Sequence, residues 1–350
     1  MYSPKYSITN RILKFISVIE ACKEVIDHAP LLPYYEKQFR EDAIIRSVHY
    51  GTHIEGNELN LSQAEKVIKG EEVLARARDI QEVINYRKVI EYISQWENPN
   101  YSKEITEEVI KHMHNIVVNR ILPEEKSGSY RSAQVVVKNS YSGQISFRPP
   151  PSSQVPKLIE DLIRFINSPQ DGEIHPVIKS AVVHYEFVRI HPFIDGNGRV
   201  ARALSTLILF EEGYDIRRFF SLEEYYDKNA SKYYQALQSV EQLKGELTTW
   251  LDYFTEGLAI ELTRIKEKIE KISVDGKLRQ KLGGKPLLLT ERQLKIIEYI
   301  QEVGFLQNRA FSSLFPMISE DTVLNDLKEL VKVGIIRKQG STKGAKYIMV

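Results

Sequence analysis

A histidine and a carboxylate four residues apart open the run HPFIDGNGRVAR, residues 191–202 of this 350-residue chain. His191 is a candidate general base, because imidazole titrates closest to neutral pH and a hydroxyl is a poor nucleophile until a base takes its proton. Asp195 is a hard oxygen ligand of the kind that suits a Mg²⁺ ion bridging phosphate oxygens. The pair predicts activation of a hydroxyl beside a metal-bound phosphate.

A glycine-flanked turn and two arginines complete the run: Gly196, Asn197, Gly198, Arg199 and Arg202. The residues from Arg199 onward read as a buried helix, so the turn lies at a helix N-terminus, where backbone N–H groups and the helix dipole favour anions. Glycines let a phosphate approach the backbone closely. We expect the turn to hold the α- and β-phosphates of a nucleotide. The two arginines share one helix face and are expected to neutralise the β- and γ-phosphates.

This run resembles the signature of the Fic family, His-Pro-Phe-x-Asp-Gly-Asn-Gly-Arg-x-x-Arg, and every fixed position is present. The resemblance implies a protein adenylyltransferase, which transfers AMP from ATP to a Tyr, Ser or Thr hydroxyl of a target protein and releases pyrophosphate. It also implies ATP and Mg²⁺ as substrate and cofactor. The alternative, a helix-capping glycine loop with a chance histidine and aspartate, is disfavoured by the length of the match.

A second resemblance lies upstream, at residues 44–57, which are similar to the inhibitory helix of many Fic proteins, Ser/Thr-x-x-x-Glu-Gly/Asn. Glu55 and the two residues after it match, but Gly51 stands where the hydroxyl is expected, with Thr52 one residue later. The resemblance implies that Glu55 pairs with Arg202 and blocks the γ-phosphate. The alternative is that Glu55 and Gly56 are an ordinary helix end with a glycine cap.

The segment 128–151 alternates apolar and polar residues on either side of a Ser-Gly turn and predicts a β-hairpin. It resembles the Fic flap, whose edge pairs with an extended target segment and presents its hydroxyl to the base. The alternative is a hairpin without function. Tyr130 and Arg131 match the family's entry to this loop, and we assign them no catalytic role.

Residues 221–237 resemble a family helix that lines the adenine site, with matching positions at Tyr225, Asn229, Tyr233 and Tyr234. Aromatic walls and an amide suit a flat base. As one continuous helix, this segment would bring Tyr225, Asn229 and Tyr233 to a single face. The alternative is that these tyrosines belong to the core.

The periodicity predicts a mainly α-helical chain: a Fic-type helical core with a β-hairpin flap, followed by a winged helix-turn-helix. Expected boundaries are an N-terminal helical region with the inhibitory helix at 1–100, the catalytic core at 101–255, a helical linker at 256–284 and the winged domain at 285–350. The expected recognition helix is acidic (Glu320, Asp321, Asp326, Glu329), which suits phosphates poorly. The expected wing is basic (Arg337, Lys338, Lys343, Lys346). Protein binding or dimerisation is therefore favoured over DNA binding, and a homodimer stays an option.

Bulk properties predict a cytoplasmic protein. One cysteine excludes a disulfide framework, and a formal net charge of +1 gives no general attraction to nucleic acid. We expect no signal peptide and no membrane span. His112, His114 and His184 are predicted to have no catalytic or metal-binding role.

Two classes of function stay open at this stage. One is an adenylyltransferase inhibited by Glu55, acting on a target protein or on itself. The other is a regulator that binds DNA or a partner and uses the pocket to sense nucleotide. His191 favours the enzyme, because a sensor needs no base. The resemblance also leaves open AMP removal, in which Glu55 positions water, and phosphocholine transfer.

Overall fold

The computed structural model describes residues 2–29, 31, 33–96, 104–138, 145–168, 174–214, 216–281, 290–316, 318–340 and 345–350. The chain divides into two compact units, Met1–Ile269 and Glu270–Val350. Helices dominate the described residues of both units, as the periodicity predicts. Among those residues, no helix combines the length and apolar character that a membrane span requires.

Four helices form the N-terminal part of the first unit: α1 (Asn10–Asp27), α2 (Pro33–His53), α3 (Leu61–Lys69) and α4 (Ala77–Gln95). Local signals explain where they begin and end. The helix α3 starts with a capping box between Asn60 and Gln63 and ends at Gly70 in the left-handed conformation. Arg46 anchors α2, because its guanidinium lies 2.6 Å from Glu224 Oε2 and 3.4 Å from Glu261 Oε2.

The centre of the first unit contains α5 (Glu107–Val118), α6 (Val155–Asn167), α7 (Pro176–Ile190) and α8 (Asn197–Glu211). The strands β1 (Val137–Lys138) and β2 (Ile145–Phe147) pair antiparallel before α6. Small side chains let α7 and α8 approach closely, and Ser180 Oγ lies 2.7 Å from Ser205 Oγ. This pair carries the motif between the end of α7 and the start of α8.

The tyrosine-rich segment is two helices, α9 (Leu222–Lys228) and α10 (Ala230–Gln242), separated at Asn229 with φ −140° and ψ 63°. The prediction of one continuous helix over 221–237 is therefore wrong. Asn229 Oδ1 accepts the Lys232 N–H at 3.1 Å, so its side chain caps α10. Asparagine competes with helix continuation in this way because its short amide can satisfy the free N–H groups of a helix start.

The helix α11 (Thr248–Lys281) is continuous, so the boundary predicted at residue 255 falls inside a helix. Trp250 Nε1 donates to Ala181 O at 2.7 Å and fixes the first turn of α11 on α7. Residues 256–281 of the predicted helical linker continue α11, and its last three residues, 282–284, lie outside the described residues.

The second unit contains α12 (Glu291–Val303), α13 (Phe311–Leu314), α14 (Glu320–Lys332), β3 (Ile336–Gln339) and β4 (Lys346–Met349). The two strands pair antiparallel, and the side chains of Ile296, Leu327 and Tyr347 share one core cluster. Thr290 and Gln293 form a capping box at the start of α12. Asp326 is buried and paired with Arg292, so it does not belong to the exposed acidic face predicted for α14. The winged-helix assignment stays a prediction, and Lys343 lies outside the described residues.

Candidate active site

His191 lies at the C-terminal end of α7 with φ +49° and ψ 59°, in the left-handed region. Its Nδ1 lies 3.3 Å from Val188 O. A carbonyl oxygen can only accept, so Nδ1 carries the proton and Nε2 keeps the lone pair that a base needs. Burial lowers the pKa of His191 below its usual value, and the nearby Glu55 carboxylate partly opposes that shift. The imidazole is therefore neutral at physiological pH.

The loop between His191 and α8 is braced by Asn197, which is 2 % exposed. Its side chain accepts the Phe193 N–H and donates to Phe193 O, both at 2.9 Å. These two hydrogen bonds close the loop. The phosphate contact predicted for the turn that contains Asn197 stays a prediction.

A second brace comes from His114 on α5. Its Nδ1 accepts the Gly128 N–H at 2.9 Å, so Nε2 is protonated and donates to Asp195 O at 3.1 Å. Burial lowers the pKa of His114 to about 4, which keeps the ring neutral. The ring also stacks on Phe193 at 3.7 Å. This positioning role was not predicted, because a histidine two residues from another on a helix carries no signal of it.

Gly196 is required by this packing. It has φ +79°, and a Cβ there would lie 3.0 Å from Val118 Cγ1 and 3.1 Å from Val117 Cγ1 on α5. A side chain would therefore push the turn away from α5 and strain the backbone as well.

An anion already lies at the start of α8, and it is the carboxylate of Glu55. Glu55 Oε1 lies 2.8 Å from Arg202 Nη1, and Arg202 is buried. A Cβ built on Gly198 would lie 2.1 Å from the same Oε1, so the carboxylate rests directly against the turn. Arg202 Nη2 also donates to Gly51 O at 2.8 Å. The arginine is thus held by the end of α2 from two directions.

The departure at position 51 has a packing reason. A Cβ on Gly51 would lie 2.4 Å from Cε1 of Tyr86, whose ring is buried against α2. A serine or threonine does not fit there without a shift. The Thr52 hydroxyl does not replace the missing contact, because it donates to Val48 O and His49 O within its own helix. Glu55 is positioned by the turn after α2, where its N–H donates to Thr52 O at 3.0 Å.

The helix α4 supplies two further partners of the motif, Arg78 and Glu82, which were not predicted. Arg78 Nη2 lies 3.0 Å from Asp195 Oδ2, and Glu82 Oε1 lies 3.3 Å from Arg199 Nη1. Arg78 and Glu82 also pair with each other at 3.1 Å. Asp195, Arg199 and Arg202 are therefore each paired with an oppositely charged side chain from the N-terminal part of the chain. An Arg–Glu pair four residues apart on a helix is too common to indicate such a site.

The predicted adenine residues do not share one surface. Tyr233 is buried, and its hydroxyl lies 2.9 Å from Nε2 of the buried His184. Burial lowers the pKa of His184 to about 3. The Tyr225 ring packs on Tyr253, with centroids 5.2 Å apart. Tyr234 is partly exposed and donates to Ile54 O at 3.3 Å, next to Glu55. Asn229 caps α10, and Tyr234 contacts the segment that contains Glu55.

The predicted flap begins and ends with described residues, and Val137 pairs with Phe147 across its two strands. Two contacts close its neck: Gln134 Nε2 donates to Pro149 O at 2.8 Å, and Ser152 Oγ donates to Ser132 O at 2.9 Å. The predicted Ser-Gly turn at the tip lies outside the described residues.

Residues 104–209 match the model of the Fic/DOC family. The curated protein adenylyltransferase Fic of Drosophila grimshawi is 29 % identical over 180 residues, which cover 51 % of this chain and 35 % of that protein. The counterpart in Drosophila melanogaster is 28 % identical over the same length. The chain thus spans about a third of the length of these relatives.

Solved structures extend the similarity to the whole chain. A crystal structure of a Fic family protein from Desulfovibrio desulfuricans covers 100 % of this chain and 98 % of its own, with a TM-score of 0.68 and 25 % identity. Fic-1 (residues 134–508) from C. elegans shows the same fold over 75 % of this chain, with a TM-score of 0.63 and 24 % identity. The chain therefore contains a Fic/DOC family domain, which occupies residues 104–209.

Proposed function

We propose that this chain is a protein adenylyltransferase that transfers AMP from ATP to a hydroxyl of a target protein and is inhibited by its own Glu55. One observation carries the proposal: the Glu55 carboxylate lies on the anion turn, 2.8 Å from Arg202, beside a neutral histidine base. A site that holds a carboxylate on an arginine and beside a helix N-terminus is suited to phosphate. The adenylyltransferase activity for which the Drosophila relatives are named supports the choice of reaction.

In this mechanism, Nε2 of His191 takes the proton of the acceptor hydroxyl. The acceptor oxygen forms a bond to the α-phosphorus of ATP, and the bond from that phosphorus to the bridging oxygen breaks. Pyrophosphate leaves with the negative charge, which Arg199, Arg202 and the N–H groups of the turn stabilise. The Nδ1 contact with Val188 O keeps the tautomer that this step needs.

Asp195 is the residue that would hold Mg²⁺. Its Oδ1 is 2.6 Å from the Gly196 N–H, and the side chain is about one-third exposed, so a carboxylate oxygen faces the turn. The described residues contain no group of three or more acidic, histidine or cysteine side chains arranged to hold a metal. The fit is therefore to an ion bound mainly by water and nucleotide phosphates, as Mg²⁺ prefers. Such an ion would supply charge neutralisation and orientation of the phosphates.

Inhibition follows from the same geometry. Glu55 and a γ-phosphate compete for Arg202 and for the space over Gly198. ATP can reach its productive pose when the end of α2 withdraws the carboxylate. The edge of the flap would receive an extended target segment by strand addition.

The acceptor is a hydroxyl on a target protein or on another copy of this chain. We assign the second unit to protein binding or dimerisation, because the exposed face of α14 carries Glu320, Asp321 and Glu329, which repel phosphates. A reducing compartment such as the cytoplasm suits a chain with a single buried cysteine.

The test is transfer of label from [α-³²P]ATP with Mg²⁺, with the wild type, Glu55→Gly and Glu55→Gly/His191→Ala compared. Each is assayed alone and with host-cell lysate as acceptor. We expect labelled protein with Glu55→Gly and loss of the label in the double variant. If calorimetry shows that ATP binds Glu55→Gly and yet no protein is labelled in either setting, the transferase proposal is wrong. Release of AMP from pre-labelled protein by the wild type would instead indicate AMP removal.

A further inference from the structure

Arg131 makes more contacts with the motif loop than any role in a surface hairpin requires. Its side chain is buried, and Nε donates to His191 O at 2.8 Å while Nη2 donates to Ile190 O at 3.4 Å. Its own N–H donates to Pro192 O at 2.9 Å. Three successive carbonyls around the candidate base are therefore bound by one residue.

The same guanidinium reaches both sides of the flap neck. Nη1 donates to Ala133 O at 3.2 Å before β1, and Nη2 donates to Pro150 O at 2.5 Å after β2. The rigid planar fork of arginine makes such contacts at fixed angles, which a lysine cannot do. The neck of the flap and the backbone of His191 thus share one set of hydrogen bonds.

His191 needs such support, because a non-glycine residue at φ +49° is strained. The conformation persists when neighbouring groups hold it in place. The hydrogen bond to the carbonyl of His191 does so directly. If that bond is lost, the backbone can relax, and Nδ1 then loses Val188 O and the imidazole turns away from the turn.

We propose that Arg131 is a positioning residue, which fixes the flap and the His191 base in one frame. An acceptor hydroxyl held by the flap then arrives at Nε2 of His191 at a set distance. The inference deepens the proposed function and rests on it for its catalytic part. Its structural part, the orientation of His191, stands independently of any transfer activity.

The first arm of the test is ¹⁵N-histidine NMR on Glu55→Gly and on the same protein carrying Arg131→Met, Arg131→Lys or Arg46→Met, with His191 assigned by its loss in His191→Ala. Arg46 is the control, because it is a buried arginine that contacts α9 and α11 and none of the flap-neck or motif residues named here. We expect an Nδ1–H ring in the parent and the control. Arg131→Met should show mixed tautomers and a higher imidazole pKa, and Arg131→Lys an intermediate state. An unchanged His191 in both Arg131 variants would overturn the proposal.

The second arm compares label transfer with ATP affinity measured by calorimetry. We expect Arg131→Met to lower transfer about 10- to 100-fold, the size expected when a reacting pair is misaligned, with the dissociation constant for ATP within about twofold of the parent. If transfer falls only in proportion to ATP affinity, or does not fall, the positioning role is wrong. If Arg131→Met fails to fold, Arg131→Lys decides both arms. If Glu55→Gly itself labels nothing, the transferase proposal fails, and the NMR arm still decides the role of Arg131.

Discussion

The motif loop and the N-terminal helices that cover it are held in place by different forces. The loop is fixed by hydrogen bonds to backbone groups, from Asn197, His114 and Arg131. The cover meets the motif through ion pairs from Glu55, Arg78 and Glu82, together with a hydrogen bond from Arg202 to Gly51 O. A bound nucleotide and its Mg²⁺ would compete for the charged groups of these contacts, whereas they would not compete for the hydrogen bonds within the loop. We therefore expect the motif loop to keep its geometry when a nucleotide binds, while the contacts from the N-terminal helices are exchanged for contacts with the nucleotide.

The largest effect that this contrast predicts is at His191. In the Glu55→Gly background, His191→Ala should lower label transfer by about 10²- to 10⁴-fold, the usual contribution of a general base. Calorimetry should show ATP affinity little changed. The exposed His112, on α5, is the control, and His112→Ala should leave transfer as in its parent. A comparable loss of transfer in both variants would mean that the effect is not specific to His191, and its role as the base would be wrong.

Gly51→Ala should displace the end of α2 without changing any charged side chain. The added Cβ meets the Tyr86 ring, so the end of α2 must shift, and we expect a stability cost of about 1–3 kcal/mol. Because Gly51 O binds Arg202, the shift should release Glu55 and raise label transfer above the wild type, about 5-fold or more.

Gly257→Ala is the matched control for that variant, since its Cβ meets the Tyr225 ring at 2.5 Å in another helix. Thermal unfolding should show a similar loss for both, while transfer rises with Gly51→Ala alone. A rise in transfer with both variants would mean that the effect comes from general destabilisation of the fold and not from the release of Glu55.

Removal of Arg78 should act on the metal and leave the anion turn intact. Arg78 is a mostly exposed partner of Asp195, so its loss should raise Mn²⁺ affinity modestly, up to about 5-fold. Electron paramagnetic resonance of Mn²⁺ with α,β-methylene-ATP measures this affinity directly. Arg76→Met is the control, because Arg76 is equally exposed and pairs with Asp79. Weaker Mn²⁺ binding in Arg78→Met would show that Arg78 supports the metal site.

The smallest effect is a shift in pH dependence. Transfer needs neutral His191, so the rate rises with pH through the imidazole pKa and then stays level. Burial lowers that pKa, so the acid limb of kcat/KM for Glu55→Gly should lie below the ordinary value of about 6.5. The Glu55 carboxylate raises the pKa of His191, and both Glu55→Gly and Glu55→Gln lack that charge. The acid limb of Glu55→Gln should therefore lie at the same pH as that of Glu55→Gly. A limb above pH 7 would contradict the burial argument.

The motif could be predicted from sequence because its chemistry is local. Gly196 with a positive φ, the helix that follows it and the two arginines are fixed by residues within one short run. The pairing of Glu55 with Arg202 was also predicted, because residues 51–56 resemble the spaced pattern of the inhibitory helix. Arg131, His114 and Arg78 act across distances in sequence of 60, 81 and 117 residues, which no local pattern encodes.

The tyrosine segment shows the opposite case. Residue types suited to adenine were present, but the asparagine counted among them caps a new helix, and Tyr233 serves the core. The periodicity of a helix does not reveal where a side chain will satisfy the next helix start. The residue types therefore predicted a tyrosine-rich helical region, but the directions of its side chains depend on the helix cap at Asn229.

The proposed inhibition through the ion pair between Glu55 and Arg202 also predicts how the purified protein behaves. An inhibitor that belongs to the same chain has a fixed effective concentration, commonly in the millimolar range or above. Dilution, dialysis and gel filtration leave that concentration unchanged, so a purified sample stays as repressed as the original extract. The proposed inhibition therefore predicts an inactive preparation of the wild-type chain. Relief would come from ATP at comparable concentration or from a force that moves the end of α2.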